Sequence, residues 1–206
     1  NLRKDSPKKN FTQKVDLVIN LKDLDLKKPE NHVDFYSQLH FSIGKKLKIC
    51  AFTGAELEAE AKKTCDETIS QTDFPKYVKD KTAAKKLAET FDYFVAQADI
   101  MPKVAQTFGK VFGPRAKMPN PKAGCVVPPK ANLGPIYNRL QTTVRVMAKK
   151  DPIIQILVGN EDMKDEELAD NIKTVYNQLI HHLPGEQNNI KNAFIKLTMV
   201  KPIKLV

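Results

Sequence analysis

The segment Gly113–Gly124 (GPRAKMPNPKAG) restricts the possible folds more than any other part of the chain. Its three prolines exclude regular helix or sheet, because each proline fixes its own φ and removes a backbone donor. The segment also holds Arg115, Lys117 and Lys122, and it contains no carboxylate. We call it the basic loop, and we expect its positive charges to meet an anion.

The basic loop lies inside a longer stretch that contains no Asp or Glu, between Ile100 and Lys150. Ten basic residues occur in that stretch: Lys103, Lys110, Arg115, Lys117, Lys122, Lys130, Arg139, Arg145, Lys149 and Lys150. Protein surfaces usually mix charges of both signs. Phosphate is therefore the expected partner, and a solvated basic surface is the alternative.

The composition allows one large domain or two small ones in 206 residues, with 41% hydrophobic residues to form a core. The formal charge of +10 suits nucleic acid or an anionic surface, but also a merely soluble protein. Three widely spaced cysteines without a CxxC motif indicate neither a zinc site nor a disulfide scaffold. With no membrane-length apolar run and no visible signal peptide, a reducing cytosol is the expected compartment and no membrane partner is expected.

Apolar periodicity and capping residues predict alternating strands and helices along the chain. The predicted strands are Phe11–Leu21, Phe35–Ile43, Lys46–Phe52, Thr68–Ser70, Asp92–Gln97, Thr143–Met147, Ile153–Val158 and Asn189–Met199. The predicted helices are Ala55–Thr64, Thr82–Phe91 with Thr82 as cap, one from the cap Asp99 through Phe108, one from the cap Asn132 to Thr142, and Asp165–His181.

The order of these elements predicts an α/β protein of two domains. The two ends of the chain are strand-rich with one long helix, while the middle alternates strands and helices, which is typical of a parallel sheet covered by helices. We therefore predict a discontinuous α+β domain, residues 1–43 and 143–206, and an inserted Rossmann-like three-layer α/β/α domain, residues 44–142. Such insertion is tolerated because the termini of a domain often lie close together.

Signatures of catalysis are weak. Thr53-Gly54 follows a predicted strand, but no GxGxxG or Walker pattern surrounds it, so a plain turn is the favoured interpretation. His181 and His182 are adjacent, so they cannot both ligate one metal from one helix face. No cofactor or metal is expected, and a nucleotide-binding α/β enzyme is the alternative function.

Two regions have features of nucleic-acid binding. Residues 44–142 hold 17 basic and 10 acidic residues, and the two flanks together hold 17 basic and 14 acidic residues, so the positive charge is concentrated in the middle of the chain. The segment from Lys8 to Lys14 instead mixes positive charge, amides, a hydroxyl and Phe11, which is the mixture that RNA sites use for phosphate, 2′-OH and base stacking. Core packing at a strand start is the alternative role for Phe11.

Four segments carry a family resemblance: FTQKVDLVINL, FVAQADIMPKVAQTFGKVFGPRAKMPNPKAG, LVGNEDMKDEELADNI and AFIKLTMVKP. Together they resemble the ribosomal protein L-one family, in its archaeal form, over essentially the whole chain. The resemblance implies the two-domain α/β fold and no catalysis. It further implies a cytoplasmic ribosomal protein, monomeric when free, that binds large-subunit rRNA through the discontinuous domain and forms the mobile stalk near the tRNA exit site. The resemblance implies two further partners. One is the protein's own mRNA, whose translation it would repress by binding a structure similar to the rRNA site, and the other is exit-site tRNA.

The resemblance also implies which residues contact RNA. Carried over by position, these are Lys9, Asn10, Phe11, Gln13, Lys14, Asp16, Lys149, Lys150, Asp151, Asn192, Thr198 and Met199. The basic loop residues Arg115, Lys117 and Lys122 would make secondary contacts. The family usually has Gly-Pro after Thr-Met, where Val200-Lys201 stands here, and often Ser at the position of Asn192. The resemblance also implies an N-terminal helix before the first strand, and we expect this chain to lack that helix.

Overall fold

The structure is a computed structural model that describes residues 10–205. Lys9 and the rest of the basic N-terminal arm lie outside the described residues. The described strands are β1 (Lys14–Leu21), β2 (Val33–Gln38), β3 (Ile49–Thr53), β4 (Glu67–Ser70), β5 (Tyr93–Gln97), β6 (Val126–Val127), β7 (Thr143–Ala148), β8 (Ile153–Asn160), β9 (Ile190–Leu197) and β10 (Ile203–Lys204). The α-helices are α1 (Glu58–Thr64), α2 (Phe74–Lys79), α3 (Lys81–Thr90), α4 (Met101–Phe112), α5 (Leu133–Gln141) and α6 (Asp165–His182).

The chain divides into two compact units. The terminal unit is formed by the described part of Asn1–Lys45 together with Thr142–Val206, and the central unit is Lys46–Gln141. One sheet is parallel and the others are antiparallel, which confirms the predicted α/β class. The assignment of residues 1–43 with 143–206 to an RNA-binding domain, and of 44–142 to an inserted domain, stays a prediction.

The terminal unit is built on an antiparallel sheet of order β10-β9-β1-β8. Its central strand β1 buries Val15, Leu17, Ile19 and Leu21 on one face, as the alternation of its sequence requires. Helix α6 packs near β8 and buries Asn171, whose Nδ2 donates to the carbonyl of Val158 at 3.0 Å. Strands β2 and β7 pair separately as a two-stranded antiparallel sheet.

The central unit contains the parallel sheet, in the order β4-β3-β5-β6. Phenylalanines from β3, β5 and α4 form its core: Phe52, Phe94, Phe108 and Phe112 are all buried. The rings of Phe94 and Phe112 lie 4.5 Å apart between centroids, and those of Phe52 and Phe108 lie 4.8 Å apart. Ring pairs at these distances stabilise the core of the central unit beyond the area that they bury.

Several predicted element ends are wrong. Asp80, not Thr82, caps α3, because its Oδ1 accepts hydrogen bonds from the backbone N–H groups of Thr82 and Ala83 at 2.8 and 3.1 Å. Asp99 does not cap α4, which begins at Met101 after the 3-10 turn Ala98–Ile100. The second strand ends at Gln38 instead of Ile43.

Candidate nucleic-acid interface

A buried glutamine organises the start of β1. Gln13 is 1% exposed, and its backbone N–H and side-chain Nε2 donate to the two carboxylate oxygens of Glu161 at 2.9 and 3.2 Å. Its Oε1 accepts from the backbone N–H of Met199 at 3.3 Å. In the structure, the Gln13 amide joins β1 to the segment after β8 and the segment after β9. The RNA contact that the family resemblance implies for Gln13 stays a prediction.

A second set of hydrogen bonds fixes Thr198 beside β1. The backbone N–H of Lys14 donates to Thr198 Oγ1 at 3.1 Å, and the backbone N–H of Thr198 donates to the carbonyl of Lys14 at 3.2 Å. The Thr198 hydroxyl thus bonds the backbone of Lys14, and the residue as a whole remains exposed.

These bonds leave apolar side chains in solvent at one end of the sheet. Phe11 is 50% exposed and Met199 is 62% exposed, two of the larger exposed fractions among the described apolar side chains. Asn10 and Lys14 are exposed nearby in sequence. We call Asn10, Phe11, Lys14, Thr198 and Met199 the stacking end. The alternative that Phe11 packs in the core is wrong for the described structure.

The predicted residues Lys149, Lys150 and Asp151 lie at the opposite end of β1. They occupy the turn between β7 and β8, and the backbone N–H of Leu21 donates to the carbonyl of Pro152 at 2.7 Å. An eight-residue strand spans about 25 Å, so this turn and the stacking end are separated by roughly that length.

An ionic cluster fixes the first residue of that turn. Lys149 Nζ lies 2.6 Å from Asp34 Oδ2, and Arg145 donates to both oxygens of Asp34 at 2.8 Å while its guanidinium lies over the ring of Tyr36. Burial opposes ionisation of Asp34, but the hydrogen bonds from Arg145 and Lys149 outweigh it and lower the pKa of Asp34 to about 2. All three residues of the turn are exposed, and Lys149 is in addition paired with Asp34.

One face of the terminal-unit sheet points away from the core, and it extends from the stacking end to the turn that holds Lys149. Register places three rows across β9, β1 and β8: Lys196, Asp16 and Leu157; Phe194, Val18 and Gln155; Asn192, Asn20 and Ile153. Asp16, Val18, Gln155, Leu157 and Lys196 line a groove of about 340 Å³ on this face, to which Ile156 also contributes. We call this surface the open face. The predicted residues Asp16 and Asn192 belong to it.

The basic loop is part of the central unit, and Lys117 is its internal anchor. Lys117 Nζ donates to the carbonyls of Phe91 and Asp92 at 2.8 and 3.2 Å. Lys117 thus ties the loop to the segment before β5, and its contact with an anion stays a prediction. Arg115 is exposed and lies 3.5 Å from Glu89 Oε1, and Lys122 is exposed in the turn that Asn120 caps.

The usual nucleotide position of a parallel sheet is filled by a side chain. Open α/β sheets bind ligands at the carboxyl ends of strands where the strand order reverses, which here is between β3 and β5. Buried Gln97 occupies this place: its Oε1 accepts from the backbone N–H of Gly54 at 2.9 Å, and a Cβ on Gly54 would meet the same oxygen at 2.9 Å. The backbone N–H of Gly54, a donor that a nucleotide phosphate could use, is therefore bonded to Gln97.

Within residues 10–205, no three His, Cys, Asp or Glu side chains come together in a way that could hold a metal ion. In the same part of the chain, every helix is too short or too polar to cross a membrane.

Comparison with known proteins decides the family. A family model described as the ribosomal protein L1p/L10e family matches residues 2–201. The chain is 43% identical to the large ribosomal subunit protein uL1 of Methanobrevibacter smithii, over 99% of this chain and 94% of that protein. It is 42% identical to uL1 of Methanothermococcus thermolithotrophicus, over 96% and 90%, and 39% identical to uL1 of Pyrococcus abyssi, over 96% and 88%.

The chain belongs to the ribosomal protein L1p/L10e family. The predicted family is thereby confirmed. Because this is a family of structural ribosomal proteins, the chain is not an enzyme, and the nucleotide-binding alternative is rejected.

In this L1p/L10e chain, the structure gathers Asn10, Phe11, Lys14, Thr198 and Met199 at one end of a sheet and places Lys149, Lys150 and Asp151 at the other. Sequence reasoning missed Glu161, which lies 148 residues from its partner Gln13 and carries no local signal. It also missed Phe194 and Lys196. Their alternation with buried Ala193, Ile195 and Leu197 in β9 is a signal that could have assigned them to the open face.

Proposed function

We propose that this protein is a structural constituent of the large ribosomal subunit that binds large-subunit rRNA through its terminal unit. Bound there, it forms the mobile stalk near the tRNA exit site, in the cytoplasm. The relatives are named large ribosomal subunit proteins, which supports the ribosomal place of the chain. The stacking end supports the choice of the terminal unit.

The stacking end carries the proposal because it combines exposure with rigidity. RNA recognition stacks unpaired bases on exposed side chains and reads 2′-OH and base edges with placed polar groups. Phe11 and Met199 offer exposed apolar surface, and the bonds of Gln13, Glu161 and Thr198 fix the backbone beneath them. A surface ordered in advance loses less entropy when it binds.

The net charge favours the central unit as the RNA-binding unit, but charge alone gives binding without sequence specificity. Residues 44–142 carry a net +7, from 17 basic and 10 acidic residues, and the flanks carry +3, from 17 and 14. Phosphate neutralisation gives affinity that is independent of sequence and weakens steeply with salt. The central unit, through Arg115 and Lys122, would accordingly make secondary contacts, of which exit-site tRNA is the proposed partner.

The same stacking end would serve regulation. An mRNA segment that folds like the rRNA site would occupy the same surface, so free protein would repress translation of its own mRNA. The protein would be monomeric when free, because one copy carries the whole proposed surface. Competition between the two RNAs for one site is the expected behaviour.

The test is affinity for large-subunit rRNA at moderate and high salt, after footprinting has located the bound segment. Phe11→Ala and Met199→Ala should each weaken binding by about 1–3 kcal/mol, the usual scale for a lost stacking contact, at both salt concentrations. Met147→Ala is the matched control, because Met147 is an exposed methionine on β7. Equal affinities for all four proteins would refute the proposed site.

A further inference from the structure

The segment through which the chain leaves the terminal unit is fastened to helix α6. This segment, residues 39–45, follows β2 and ends the first part of the unit, and we call it the exit segment. His40 Nδ1 lies 2.6 Å from Asp170 Oδ2. The backbone N–H of Phe41 donates to Asn171 Oδ1 at 3.2 Å, and Asn171 Nδ2 donates back to the carbonyl of Phe41 at 3.2 Å. The first half of the exit segment is therefore held by side chains of one helix.

The second half of the exit segment is held by Asn160, the last residue of β8. Asn160 Nδ2 donates to the carbonyl of Gly44 at 3.4 Å. Gly44 has a φ of +72°, which residues with a side chain rarely adopt. A Cβ on Gly44 would lie 2.6 Å from Asn160 Cγ and closer still to Nδ2. The contact between the two residues therefore requires glycine at position 44.

Asn160 also supports the stacking end. Register pairs it with Lys14 across β8 and β1. Its Oδ1 accepts from the backbone N–H of Met163 at 3.1 Å, which closes the turn around Glu161. The Glu161 carboxylate in turn receives the hydrogen bonds of Gln13. One amide side chain thus touches both the exit segment and the turn on which the stacking end depends.

We propose that Asn160 couples RNA binding at the stacking end to the order of the exit segment. The inference rests on the proposed RNA-binding function and adds a conformational device to it. While Asn160 holds Gly44, the turn around Glu161 is fixed and the stacking end is ordered in advance. When the contact opens, the turn gains freedom, and RNA must order the stacking end as it binds, which lowers affinity. Bound RNA therefore favours the closed contact and orders the exit segment.

This coupling is reciprocal, so one factor governs two measurements. If bound RNA makes opening of the exit segment rarer by some factor, a variant that leaves the segment open loses RNA affinity by up to the same factor. Amide hydrogen exchange of residues 42–45 measures the opening. In the full chain, the rRNA segment located by footprinting should slow this exchange at least about fivefold, the lower end of usual coupling between sites.

Gly44→Ala separates the exit segment from Asn160 without changing a residue of the stacking end. It should speed exchange of residues 42–45 and weaken rRNA binding by about the factor by which RNA slows exchange in the wild type. Asn160→Ala removes the amide without adding bulk, and it should have the same effects even if Gly44→Ala fails to fold. Gly109→Ala on α4 is the matched control, because its added Cβ meets no atom within 4 Å. It should change neither the exchange of residues 42–45 nor the affinity.

The outcomes separate the coupling from the proposed function. Wild-type protein that binds the rRNA segment while residues 42–45 exchange at an unchanged rate refutes the coupling alone. Wild-type affinity in a folded Gly44→Ala protein, or in Asn160→Ala, refutes it as well. Wild-type protein that fails to bind rRNA refutes the proposed function, and the coupling with it.

Discussion

At the scale of single residues, Glu161 is the partner on which the stacking end depends. Both of its oxygens accept hydrogen bonds from Gln13. Glu161→Ala leaves a buried amide and a backbone N–H without their acceptor, and it should lower the free energy of unfolding by about 1–3 kcal/mol. Urea unfolding measures this. RNA affinity should fall as well, because the segments that carry Phe11 and Met199 are no longer held at a fixed spacing.

The neighbouring Asp162 provides the control for Glu161. Asp162 is exposed, so Asp162→Ala should change neither the stability nor the RNA affinity by more than a few tenths of a kcal/mol. Wild-type stability and affinity in Glu161→Ala would show that Gln13 needs no partner. The Gln13 amide would then be open to the RNA contact that the family resemblance implies.

At the scale of elements, the sequence predicts what short-range patterns encode. Strand β1 follows from alternation, and α6 follows from apolar spacing together with Asp165, Glu166 and Glu167 in its first turn. Bonds between distant segments have no such pattern. The pairing of Gln13 with Glu161 spans 148 residues, and Lys117 binds backbone carbonyls, which every residue has.

The basic loop gives a prediction at this scale. Lys117→Met keeps the length of the side chain but removes its hydrogen bonds to the carbonyls of Phe91 and Asp92, so it should destabilise the central unit by about 1–3 kcal/mol. Lys122→Met, at an exposed position, should leave stability unchanged and reduce the salt slope of non-specific RNA binding by up to about one. Thermal unfolding and salt titrations distinguish the two. A Lys117→Met variant as stable as the wild type, with a flattened salt slope, would show that Lys117 acts on RNA and not on the fold.

At the scale of the whole molecule, the strands of the terminal unit come entirely from the two flanks of the chain. The sheet β10-β9-β1-β8 and the pair β2-β7 include no strand from residues 46–141. The chain also leaves and re-enters this unit at neighbouring points: Gln38 pairs with Thr143, and the backbone N–H of Leu39 donates to the carbonyl of Thr142 at 2.9 Å. A short linker can therefore replace the central unit without breaking a strand pair.

Deletion of residues 44–142, with a short linker in their place, should leave specific binding of the rRNA segment that footprinting identifies. The isolated residues 44–142 should bind RNA only weakly and lose that binding at high salt, because their +7 charge acts through phosphate neutralisation. Affinities at two salt concentrations, for the specific segment and for an unrelated RNA of equal length, separate these outcomes. Circular dichroism first verifies that each protein is folded. If the isolated central unit keeps salt-resistant, specific binding and the deletion variant loses it, the RNA site lies in the central unit, and the stacking end has another purpose.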